Sequence, residues 1–91
     1  MQFREYVQHC IKESERKVED YQEEIQKLEK YRCALPEAES QEKKKLELFI
    51  ECREAHLIRL KEIVEKRLIE ERQVLTLVES LGQREQLAQK S

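Results

Sequence analysis

Large apolar residues recur along this chain at alternating steps of three and four, the spacing of one face of a helix. They form two series that break near Pro36. The first predicts a helix from about Phe3 to Cys33. From Val18 it is regular: Val18, Tyr21, Ile25, Leu28, Arg32, Leu35. Before that it reads Val7, Cys10, Ser14, and the eleven-residue step from Val7 to Val18 predicts a stutter that would locally unwind a left-handed supercoil.

The second series predicts a helix from about Pro36 to Leu81. Its seam reads Leu46, Ile50, Arg53, Leu57, Leu60, Val64, Arg67/Leu68, Glu71, Val74/Leu75, Val78, Leu81. A second column, Phe49, Cys52, His56 and Ile63, lies beside it. Together they cover about 160° of the helix, whereas a two-stranded coiled coil needs only a narrow stripe. The extra width predicts more than one neighbouring helix.

Backbone punctuation is almost absent. The chain has one proline, Pro36, one glycine, Gly82, one Asp, Asp20, and no Asn, although turns depend on these residues. Leu35 precedes the proline and so avoids the helical region. Lys27, Lys30 and Arg32 suit the end of one helix; Glu37 and Glu39 suit the start of the next. A turn at about 34–36 is expected, with Gly82 as a helix stop and a polar tail over 82–91. The predicted fold is all-α: a single coiled-coil region, 1–91, forming a long antiparallel helical hairpin that assembles into a dimeric helical bundle.

Folding back at 34–36 would pair positions whose numbers add to about 71, since antiparallel helices pair about their turn. Phe3 then meets Leu68, and everything from Ile69 onward overhangs. Leu57, Leu60, Val64 and Leu68 are expected in the hairpin core. Ile69, Val74, Leu75, Val78 and Leu81, with Phe49 and Ile63 on the wide face, are the expected protein interface, because a contiguous apolar patch seldom stays exposed.

Charge narrows the partners. Charged residues make up 42% of the chain, yet 18 basic and 20 acidic side chains leave a net charge of -2. Interleaved in this way they offer no broad cationic surface for phosphates, so no nucleic acid is expected. Lys43–Lys45 reads as a solvated stretch early in a helix. No run approaches the roughly 20 apolar residues of a bilayer span, and Met1–Ile11 lacks the apolar centre of a signal peptide. No membrane insertion is expected.

Cys10, Cys33 and Cys52 are odd in number and far apart. Free thiols are expected, in a reducing compartment, cytoplasmic or nuclear. Cys10 and Cys52 read as small core residues, and Cys33 as the one exposed at the turn. His9 and His56 have no second ligand at metal spacing. No catalytic, cofactor-binding or metal site is expected, and the chain reads as a non-enzyme. Its expected function is that of a coiled-coil oligomerisation or scaffold module mediating protein–protein interaction in a larger assembly. The partners would be a second copy or helices of another protein. The chain begins inside its periodic pattern, as a segment of a longer coiled-coil protein would. The alternative is a small helical binding cofactor or chaperone for a protein client. The architecture resembles that of the tubulin-binding cofactor A family, from whose three-helix layout the single early turn at Pro36 departs.

Overall fold

A computed structural model describes residues 2–35 and 40–90, with side chains as far as Gly82. It contains two helices, α1 (Phe3–Cys33) and α2 (Gln41–Lys90), packed against each other as an antiparallel hairpin. No strand occurs among the described residues. The single kinked rod that Pro36 also permits is excluded by the side-chain pairs between the helices, given below.

α1 has the limits its apolar spacing predicts. Lys30 and Arg32 lie in its last turn, against the negative end of the helix dipole. The expected stutter is absent. The buried positions are Val7, Ile11 and Ser14, not Cys10. With Val18, Tyr21, Ile25, Leu28, Arg32 and Leu35 they make an unbroken alternation of four and three. The step from Val7 to Val18 is thus an ordinary four-three-four, which supercoils continuously.

α2 differs from expectation at both ends. Its cap is Ser40, whose hydroxyl accepts the Lys43 N–H at 3.1 Å while its carbonyl accepts from Lys44. The expected start at Pro36 lies outside the described residues, apart from Ala34 and Leu35, which are already non-helical. At the far end the helix runs through Gly82 to Lys90, and Gly82 has no positive φ. Glycine costs a helix about 1 kcal/mol relative to alanine. The Gln, Arg, Glu, Leu, Ala and Lys that follow are strong helix formers and outweigh that cost, so residues 82–90 are helix, not tail.

Nothing lies within 4 Å of a methyl group added at Gly82. Gly82→Ala should therefore stabilise α2 by up to about 1 kcal/mol and raise the helical signal in circular dichroism. A left-handed stop would give the opposite sign. Ser40→Ala should remove the cap and cost about 1 kcal/mol, read as a lower denaturation midpoint; an unchanged midpoint would show that the cap contributes nothing.

The register is the main correction. Arg4 meets Glu79, Ser14 meets Glu71, Lys61 meets Gln22 and Arg32 meets Glu54, so paired numbers add to between 83 and 86, not 71. Phe3 is opposite about residue 80. The connection is longer than three residues, and the first turns of α2 project past the end of α1. Residues from Ile69 to about 80 therefore lie alongside α1 instead of overhanging it, although Ile69, Val74, Leu77 and Leu81 stay exposed. Leu75 packs on the cluster Val7, Ile11 and Leu68. A second cluster, Leu28, Ile50 and Leu57, is flanked by Tyr21, Ile25 and Leu35.

Polar matches at the edges of the seam select this register. The Ser14 hydroxyl, buried at 4% exposure, donates to Glu71 at 2.5 Å. Arg32 donates to Glu54 at 2.7 Å and Lys61 to Gln22 at 2.6 Å. Slipping one helix by a turn would strand several of these groups against apolar neighbours at once. Desolvation lowers the Arg32 pKa, but Glu29, Glu54 and Glu51 outweigh it and hold it above its ordinary value.

Candidate interaction surface

On α2 the positions turned to α1 are Ile50, Glu54, Leu57, Lys61, Val64, Leu68, Glu71 and Leu75, all buried or half-buried. The sequence pattern assigned Arg53 and Leu60 to this seam and left Arg67 and Leu68 as alternatives. The structure uses Leu68, as expected for the core, but takes Glu54 and Lys61 in place of Arg53 and Leu60, because Arg32 and Gln22 on α1 hold these two by hydrogen bonds. Arg53, Leu60 and Arg67 lie beside this seam on α2, Arg53 and Arg67 exposed and Leu60 half-buried.

Moving every position of that seam back by one residue yields a second one: Phe49, Arg53, His56, Leu60, Ile63, Arg67, Glu70, Val74. It continues with the same three-four spacing to Leu46 on one side and to Leu77 and Leu81 on the other. One residue is about 100° of helix rotation, close to the angle between the two contact faces of a helix in a square four-helix bundle. All of these residues are exposed except Leu60, which is half-buried. Phe49 is 66% exposed, Leu77 63%, Leu81 56% and Ile63 49%.

The two broad sides of the hairpin differ in character. Helical projection puts Arg4–Glu79, Arg72–Glu15 and Lys61–Gln22 on the side away from the second seam. Arg53–Glu24, at 3.3 Å, lies on the same side as the second seam, as do the exposed Tyr6 and Tyr31 of α1. Between those tyrosines the α1 flank carries Glu13, Lys17, Asp20, Glu24 and Lys27. The apolar stripe therefore belongs to α2. A recess of about 160 Å³ on this side is lined by Glu24, Lys27, Leu28, Tyr31, Arg53 and Leu57.

The expected interface residues divide accordingly. Phe49, Ile63, Val74 and Leu81 lie on the second seam. Leu75 and Val78 lie on or beside the seam with α1, and Leu75 is half-buried against it. Ile69 is 56% exposed on the opposite flank of α2. Cys52, expected in the core, is exposed, as is Cys33; Cys10 is half-buried, and all three are free thiols. His9 and His56 are exposed. Among the described residues no group of three metal-ligating side chains converges, and no helix is long and apolar enough to cross a membrane.

Two signals for this surface were present in the sequence but divided: the column Phe49, His56, Ile63 and the series Arg53, Leu60, Val74, Leu81 belong to one stripe. They separate from the first seam only when α1 selects Glu54 and Lys61. Comparison with family models, with characterised proteins and with solved structures yields no match to this chain.

Proposed function

We propose that this chain is a non-enzymatic coiled-coil module whose hairpin mediates protein–protein interaction, self-associating and serving as a scaffold in a larger assembly. The observation that carries this reading is the second seam of α2. It is periodic from Leu46 to Leu81, roughly ten turns of helix, it is apolar at most positions, and all of them but the half-buried Leu60 are exposed. Burying one large aliphatic or aromatic side chain contributes roughly 1.5–3 kcal/mol, and this stripe offers Phe49, Leu60, Ile63, Val74, Leu77 and Leu81 at once.

Light scattering on the purified chain tests this. The expected mass is about twice the 11.1 kDa of one chain. Ile63→Glu with Leu77→Glu should return it to a single chain, since unpaired charges buried in an apolar contact cost several kcal/mol. Helicity should persist, because both residues are exposed and belong to neither buried cluster. A wild-type mass of one chain at high micromolar concentration, or an unchanged mass in the double variant, would overturn self-association through this face.

A further inference from the structure

The second seam reads almost the same in both directions. Its ten central positions run apolar, apolar, Arg, His, apolar, apolar, Arg, Glu, apolar, apolar. The midpoint falls between Lys61 and Glu62. We infer that a second copy of this chain docks α2 against α2 in the antiparallel direction about this midpoint, an inference that rests on the self-association proposed above.

The pairing follows from placing each position opposite its mirror image. Leu60 meets Ile63 of the partner subunit at the centre, and Phe49 meets Val74 of the partner subunit further out, with Leu46 on Leu77 at the ends. The charged positions fall together as well. Arg53 meets Glu70 of the partner subunit, and two-fold symmetry repeats this ion pair at the other end. His56 meets Arg67 of the partner subunit, where the guanidinium can donate to an imidazole nitrogen. In a parallel dimer each position would meet its own copy. Arg53 would then face Arg53, and Glu70 would face Glu70, an arrangement of like charges that is destabilising in a coiled-coil contact.

The same placement says why α2 and not α1 makes the contact. The corresponding flank of α1 is charged through its middle, from Glu13 to Lys27. Arg53 already holds Glu24 of its own hairpin at 3.3 Å. Glu70 of the partner subunit would approach the same guanidinium, which has donors enough for two carboxylates.

Charge reversal tests the pairing. Arg53 and Glu70 of one chain stand about 25 Å apart along α2, so neither can compensate the other within a chain. Arg53→Glu alone and Glu70→Arg alone should each weaken the dimer about tenfold or more, and the double variant should recover most of that loss, as coupled interface charges do. Molar mass against concentration reads the effect. A second measurement covers misfolding of the Arg53 variant: a spin label on Ser80→Cys, in a chain carrying Cys10→Ala, Cys33→Ala and Cys52→Ala. The antiparallel pairing puts the two labels on the order of 55 Å apart; a parallel dimer puts them within about 20 Å. A dimer with short label distances, or one indifferent to both single reversals, overturns this register and orientation while leaving self-association intact. A chain that stays monomeric overturns both and leaves the seam to a helix of another protein.

Discussion

Leu57→Ala is expected to unfold the hairpin or bring it to the edge of unfolding. Leu57 is 1% exposed, the most completely buried large side chain described, and it joins Leu28 and Ile50 at the centre of one of two small clusters. Truncating a buried leucine costs about 2–5 kcal/mol, more where the surroundings cannot collapse. Chains of this size have few such residues and little reserve. The loss should lower the thermal midpoint by roughly 10–30 °C, followed by circular dichroism. Ile58→Ala is the control: Ile58 is its neighbour in sequence but is 41% exposed, and surface changes usually stay within about 0.5 kcal/mol. A Leu57 variant that melts with its control would mean that the packing between α1 and α2 contributes little.

Replacing Ser14 and Glu71 together should act in the opposite direction. Their hydrogen bond interrupts the seam next to Ile11 and Leu68. A net contribution of about 0.5–1.5 kcal/mol, somewhat more with a charged partner, is what such a bond supplies. Ser14→Val with Glu71→Leu would exchange it for buried aliphatic surface worth roughly 1.5–3 kcal/mol per side chain. The expected gain is about 2 kcal/mol or more, seen as a higher denaturant midpoint. What is given up is specificity, since a polar pair inside a seam holds one register against its neighbours. A double variant less stable than the parent would show that the site is too tight for the added methyl groups and that the polar pair is the better filling.

The all-α hairpin was legible in the sequence because its signals are local. Three-four spacing, helix-forming composition and the scarcity of Gly, Pro, Asn and Asp each act within a few residues. They placed α1 at Phe3–Cys33 and marked Leu57, Val64 and Leu68 for the core. The ends of α2 were harder. A proline is a strong punctuator, and it drew attention from Ser40, whose hydroxyl caps the helix four residues later. A lone glycine suggests a stop, yet a helix tolerates one when its neighbours favour helix.

Register and face were decided by tertiary structure alone. Apolar periodicity on α2 is compatible with two seams one residue apart, since Leu60 and Val74 suit one as well as Lys61 and Leu75 suit the other. Nothing within α2 distinguishes them. The choice is made by α1, which supplies Arg32 for Glu54, Gln22 for Lys61 and Ser14 for Glu71. Those matches join residues 22 to 57 positions apart, beyond the reach of any local pattern. Once they are made, the hairpin slides by several turns from the register a tight turn would impose, Leu75 goes inside, and the stripe from Leu46 to Leu81 is left on the surface. By itself the sequence determined that there are two helices with more apolar surface than one pairing can bury. Only their packing decided which surface remained, because burial of polar groups is decided by the partners they meet.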